Sequence, residues 1–224
     1  MPQKGDALLF AANEVVVGEV AVAIKHVYGG QLHVGLVYGV GEDVILLHLA
    51  DHEDLRRQVL PLDTYKLAVL KPVGVPAIWA RRLKDMAAYF ESIWQENGAS
   101  RMPYSISNGS SLDAEGRFVP SPHGVPGFTC AAFVLAAFDA AQYPLIKGEW
   151  PPPDEEDTEW QEYIVGFIYG ADSELQERSW GDCGVASRYR PEHVAAAAVA
   201  STPPSTYTQL EPEAALIRDE LVPM

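Results

Sequence analysis

The sequence predicts an α+β domain in which a small antiparallel sheet, or half-barrel, packs against helices. Three stretches carry that expectation. Two β-branched runs, QLHVGLVY and DVILLHLA, are separated by GVGE; PAIWARRLKDMAAYFESIWQEN is long and amphipathic; and an alanine-rich apolar run opens at Cys130. A glycine-containing connection between β-branched runs reads as an antiparallel hairpin. Apolar residues recurring every three or four positions read as a helix face. A chain of 224 residues holds one substantial domain, expected over 1–195 with a C-terminal extension over 196–224.

In order, GDALLF is expected as a short strand opening at a Gly-Asp turn. Residues 13–28 are expected as a helix capped by Asn13, with Val16, Val20, Ala23, Ile24 and Val27 at helical spacing and Gly29-Gly30 ending it. If GVGE is a four-residue loop, Tyr38 pairs with Asp43 and His33 falls directly opposite His48. One face of the hairpin then carries His33, Gly35, Val37, Leu46 and His48. A third strand, YKLAVLK, stops at Pro72. Pro76 suits the first turn of the helix over 76–97, Gly98 lies just past its end, and Ile78, Leu83, Met86, Phe90 and Trp94 share an apolar face. A long Gly/Ser/Pro-rich loop then runs to residue 127, and loops of that length often serve as site lids. The second good helix spans Thr129 to Gln142. PPPDEEDTEWQE reads as a solvated loop, EYIVGFIYG as a strand or buried turn, and the last stretch as an extended arm with a short terminal helix.

Net charge is −15, which repels phosphate backbones and anionic lipid, so neither nucleic acid nor stable membrane anchoring is expected. MPQKGDALLF lacks a basic, apolar secretory leader, so the cytosol is the default compartment; a bacterial effector exported by a dedicated machine would look the same. Cys130 and Cys183 could pair, but free thiols are preferred. They form no CxxC motif, and the consecutive carboxylates of 154–157 match no calcium loop, so neither metal nor cofactor is expected.

The chemistry centres on Cys130. With Thr129 as N-cap, the thiol sits at the first position of its helix, where unpaired N–H groups and the positive end of the dipole favour thiolate and can hold an oxyanion. Buried cysteines filling a core are common at such positions as well. A nucleophilic thiol needs a base, and the base an orienting group. His33 and His48 share the hairpin face, and Gly35 leaves room for another group to approach. Asp51 or His52 could replace His48 as the orienting residue. His123 is a candidate substrate contact, although an exposed loop histidine reads the same; His26 and His193 read as surface positions. Tyr104, Phe128, Trp150 and Trp160 could line a groove or pack a core. Cys183, between glycines in a loop, ranks below Cys130.

The ordered set GDALLF, LHVGLVY, a second histidine-bearing strand, MPY at 102–104 and a cysteine opening a helix resembles the circularly permuted branch of the NlpC/P60 papain-like superfamily. That branch includes the YiiX-like and lecithin-retinol-acyltransferase-like proteins. The resemblance spans roughly residues 4 to 142. It implies a papain-like fold with Cys130 as nucleophile, His33 as general base and His48 as third, orienting residue, and acyl transfer through a thioester. Ala131 and Ala132 stand where family members often carry Ser or Glu, and the His33–His48 spacing is generous; both bear on specificity. The implied substrates are peptide amides, with acyl esters of lipids and protein side chains as alternatives. Tyr104, Phe128 and His123 are the candidate substrate contacts. The acidic 151–162 segment would suit a basic protein partner. The reading from another class is a binding protein that keeps the fold, with Cys130 inert and that acidic surface as its working part.

Overall fold

A computed structural model of the chain describes residues 9–11, 18–27, 30–60, 64–71, 73–98, 102–169 and 173–222. Strands β1 (Phe10–Ala11), β2 (Ala21–His26), β3 (Leu32–Val40), β4 (Asp43–Asp51), β5 (Asp54–Val59) and β6 (Lys66–Val69) form one antiparallel sheet, ordered β1-β6-β2-β3-β4-β5. Helix α1 (Pro76–Asn97) follows, then a two-stranded ribbon of β7 (Ser111–Leu112) and β8 (Phe118–Val119). Helices α2 (Cys130–Ala140), α3 (Glu155–Ile168), α4 (Ser173–Trp180), α5 (Pro191–Val199) and α6 (Tyr207–Leu221) complete the chain. The molecule is α+β, with a small antiparallel sheet and six helices among the described residues.

The sheet has two unequal faces. Val34, Leu36, Tyr38, Ile45, Leu47 and Leu49 join the large core with apolar residues of α1, α2, α5 and α6. The opposite face holds a smaller cluster of Ala21, Ala23, Val37, Leu46, Leu60, Tyr65 and Leu67. β2 crosses between these cores, and Val20 to Ile24 are at most 1% exposed. This corrects the helix expected over 13–28. A strand covered on both faces has no polar side to reveal its period of two, so its apolar run fits a helical spacing equally well. Asn13, Gly29 and Pro72, invoked as cap and stops, lie outside the described residues, as do residues 5–8 of the opening strand.

The hairpin differs from expectation in one respect. Its ladder runs from Val40↔Asp43 to Leu36↔Leu47, so Gly41 and Glu42 alone form the loop, with Gly41 at φ 61°. Tyr38 pairs with Ile45 rather than Asp43. Because side chains alternate with a period of two, this two-residue difference leaves every residue on its expected face. Beyond Leu36↔Leu47, His33 pairs with Lys25 of β2 and His48 with Arg56 of β5. Extended by one step, the same register sets His48 beside Gly35 rather than opposite His33, and a Cβ built on Gly35 would lie 2.7 Å from His48 Cβ.

The acidic run is a helix, not a solvated loop. Asp154 caps α3 by accepting from Asp157 N at 2.8 Å, and Glu155, Glu156 and Asp157 fill its first turn, where the helix dipole favours carboxylates. Arginines that come later in the chain then gather these acids. Arg188 and Arg190 both reach Asp157 (3.3 and 3.0 Å), and Arg218 reaches Glu156 at 2.6 Å. The expected strand or buried turn at EYIVGFIYG is the end of the same helix, with Trp160, Ile164, Val165 and Ile168 recurring at helical spacing.

The C-terminal stretch keeps a non-helical segment over 201–206, but buried and longer helices flank it in place of an extended arm with a short terminal helix. All nine residues of α5 are buried, and α5 crosses the 195/196 boundary while packing on β2, β3, β6, α2 and α6. A capping box between Thr206 and Gln209 starts the 15-residue α6.

Candidate active site

α2 begins where the sequence places it. Thr129 is its N-cap, and its hydroxyl accepts from Ala132 N at 3.1 Å. Cys130 is the first helical residue. It is buried and is a free thiol, as is Cys183. The loop before it is tied down by hydroxyls: Ser105 Oγ donates to Val125 O at 2.7 Å, and Ser110 Oγ accepts from Gly127 N at 3.0 Å and Ser121 N at 3.1 Å. Gly127 adopts φ 150°, and a Cβ there would lie 2.6 Å from Pro103 O. Only glycine lets the two chain segments cross so closely, just ahead of the thiol.

The histidines come from the sheet. His33 Nε2 lies 2.8 Å from His48 Nδ1, and His48 Nε2 lies 3.0 Å from Gln58 Oε1. An amide oxygen can only accept, so His48 carries its proton on Nε2. Its Nδ1 is then an acceptor, His33 Nε2–H must donate to it, and the remaining ring acceptor is His33 Nδ1. A three-residue chain thus fixes both tautomers. His48 needs Gly35 beside it, since a Cβ built on Gly35 would sit 2.7 Å from His48 Cβ.

His33, His48, Cys130, Thr129 and Tyr104 line one cavity of about 320 Å³. The backbone N–H groups of Val34, Ala131 and Cys130 itself favour negative charge on the thiol, and that of Cys130 does the same for the Tyr104 hydroxyl. Tyr104 is bridged to Phe128, its N–H donates to His52 Nδ1 at 3.2 Å, and its carbonyl accepts from the Tyr169 hydroxyl. His52 therefore holds the Tyr104 segment, and Asp51 lines the cavity; it is His48 whose ring meets His33. The other two candidate contacts lie elsewhere. Phe128 is 2% exposed and packs edge-on against Phe118 and Phe133, while His123 is exposed on the loop; neither lines this cavity. Trp160 lines it, whereas Trp150 packs with Tyr189, His193 and Tyr207. His193, expected at the surface, is buried and stacks on Tyr207.

Burial sets the electrostatics. It pushes the Cys130 thiol above its ordinary value, and the N–H groups of Val34 and Ala131 oppose that without outweighing it. The expectation that the helix start would favour a resting thiolate is corrected accordingly. Burial, with the His48, Lys25 and Arg56 charges behind it, pushes His33 down to about 3. His48 is lowered too, by burial, although Gln58 pulls the other way. The resting state is a neutral thiol and a neutral imidazole lining one cavity.

This has a consequence for acid stability. The unfolded chain binds protons at these histidines below about pH 6.5 and the folded chain does not, so their contribution is complete above pH 6.5 and is lost as pH falls toward 3. Urea midpoints measured from pH 7 to pH 4.5 should fall more steeply in the wild type than in a His33→Gln/His48→Gln variant. The difference should be on the order of 1 kcal/mol per pH unit.

Sequence reasoning missed Gln58, Arg188 and the α3 wall of the cavity. Gln58 lies on β5, whose polar sequence DLRRQV gave no strand signal. Among the described residues, no group of three or more His, Cys, Asp or Glu could hold a metal, and no helix is long and apolar enough to cross a membrane. Comparison with family models, curated proteins and solved structures finds no match to this chain.

Proposed function

We propose that the protein is a cysteine-dependent acyl hydrolase of papain-like type, acting on an amide or ester through a thioester on Cys130. One observation carries the reading: a helix-start thiol and the His33–His48 pair, whose tautomers the Gln58 amide fixes, line the same cavity. His33 Nδ1 takes the thiol proton as Sγ bonds to the acyl carbon, and the carbonyl electron pair moves onto oxygen. The Tyr104 hydroxyl, which lines the same cavity and which burial keeps protonated, is the donor for that oxyanion. As the tetrahedral species collapses, His33 returns the proton to the leaving nitrogen or oxygen. A water, deprotonated by His33, then attacks the thioester and releases the acid, with the proton returning to sulfur. His48 spreads the imidazolium charge through its hydrogen bond while Gln58 holds its ring.

The acidic-surface binding reading draws little support from the start of α3, where Asp154, Glu156 and Asp157 are already paired to Arg188, Arg190 and Arg218. The deciding experiment is turnover of activated amides and p-nitrophenyl esters, with trapping of an acyl group on Cys130 by peptide mass spectrometry. An acyl adduct on Cys130 that is absent in Cys130→Ala supports hydrolysis; turnover that survives Cys130→Ala removes it.

Gln58 supplies a finer check. Gln58→Leu should lower kcat roughly tenfold, the scale of one lost orienting hydrogen bond, with KM unchanged. Gln58→Glu keeps an acceptor for His48 Nε2–H and should restore most of the rate. Equal losses in both variants would mean that Gln58 only packs.

A further inference from the structure

The charged lining of this cavity is unlike the rest of the surface. The protein carries a net charge of −15, yet among the described residues the charged groups lining this cavity are Lys25, Arg56 and Arg188 against Asp51. Arg56 at the rim is paired to Asp54. Lys25 lies 4.5 Å over the Tyr65 ring. Arg188 is the deep one, with a side chain only 8% exposed.

Arg188 is held firmly and satisfied incompletely. Its Nη2 donates to Gln31 Oε1 at 2.9 Å, and its guanidinium lies 4.2 Å over the Trp160 ring. Its direct carboxylate contact is Asp157 Oδ1 at 3.3 Å, the same oxygen that Arg190 Nε takes at 3.0 Å. Glu192 and Glu156 balance the wider arginine group through space. The Arg188 Nε atom itself is buried with no hydrogen-bond partner among the described residues. A buried donor of a charged fork without an acceptor is costly, and a carboxylate is the group that suits it best. Arg188 also lies close enough to Cys130 for its charge to act on the thiol.

Beside Arg188, α3 turns an apolar face to the same cavity. Trp160, Tyr163, Ile164, Phe167 and Ile168 recur at helical spacing and all line it. Tyr163 and Phe167 stack on each other while remaining 55% and 65% exposed. Large rings left exposed in a concave wall mark a place where an apolar group is received.

We propose that this cavity takes acyl substrates that carry both a carboxylate and an apolar group. The carboxylate seats against Arg188, with Lys25 and Arg56 at the entrance, and the apolar group lies along the α3 face. The inference deepens the acyl-hydrolase reading by naming its substrate class, and it rests on that reading for the reaction alone.

The test separates the two. Isothermal titration of Cys130→Ala with 4-phenylbutanoate and with its neutral isostere 4-phenylbutanamide measures the site without chemistry. The carboxylate should bind at least tenfold more tightly, and the preference should shrink at high salt. Arg188→Gln should abolish the preference, with circular dichroism to confirm folding, and the exposed rim variant Arg56→Gln should reduce it severalfold. Equal binding of acid and amide, or no saturable binding of either, overturns the inference. The hydrolase reading is decided separately by the Cys130 acyl adduct: an anion preference without an adduct leaves a carboxylate-binding site and removes the enzyme.

Discussion

His33→Ala is expected to slow acylation of Cys130 by about 10²–10⁴-fold, and Cys130→Ala to remove it. The size follows from the resting state. Burial holds the thiol above its ordinary value, so little thiolate exists at neutral pH, and sulfur can attack only if its proton leaves in the same step. His33 Nδ1 is the ring acceptor left by the His48 and Gln58 hydrogen bonds. Stopped-flow acylation by a p-nitrophenyl ester, followed at several pH values, measures this directly. Iodoacetamide gives a second view, with Cys183 as an internal reference pushed up to about 11 by burial and by the Glu162 and Asp182 charges. Both thiols should label slowly at pH 7. Ester acylation of Cys130 alone should depend on His33, and a rate indifferent to that substitution sinks the proposed base.

Gly35→Ala should be nearly as damaging to activity and should also cost stability. Its Cβ would meet His48 Cβ at 2.7 Å, Leu46 Cδ1 at 2.8 Å and Leu47 O at 3.1 Å. Leu46 can rotate away, but His48 Cβ and a backbone oxygen cannot, so the strand or the histidine must shift. Overpacking of this kind costs about 1–3 kcal/mol. Any displacement of His48 breaks the 2.8 Å contact that fixes the His33 tautomer. Chemical denaturation would report the first effect and kcat the second. An alanine variant that keeps both wild-type stability and wild-type kcat would contradict the packing described around His48.

Much of this arrangement was legible in the chain because it rests on short-range rules. Thr129 as cap, Cys130 at the helix start, Pro76 and Gly98 around α1 and the shared face of His33, Gly35 and His48 all follow from local spacing. The histidine face survived an error in loop length because a slip of two residues conserves sidedness. The rest depended on what distant segments bring. β2 looked helical because cover on both faces erased its pattern. α3 looked like a loop because its carboxylates find Arg188, Arg190 and Arg218 only in the folded chain. The thiol's upward shift is likewise a product of burial, which no local motif encodes. Cys130 and His33 could be picked out from residue type and position, while Gln58 and Arg188 acquire roles only through three-dimensional neighbours.

The buried helix α5 bears on how the protein is made. Ala195, Ala196, Ala197 and Ala198 are at most 3% exposed, and their small side chains let the helix backbone settle close against β2, β3 and β6. Those strands leave the ribosome well before the helix that covers them, which follows all six strands, α1, α2, α3 and α4 in the chain. Until then a strip of apolar sheet waits open to solvent, so closure of the large core is delayed and rests on contacts between remote parts of the chain. A nascent chain stalled before residue 191 should therefore remain sensitive to protease and bind chaperones, and release of the following thirty or so residues should protect β2 and β3 together.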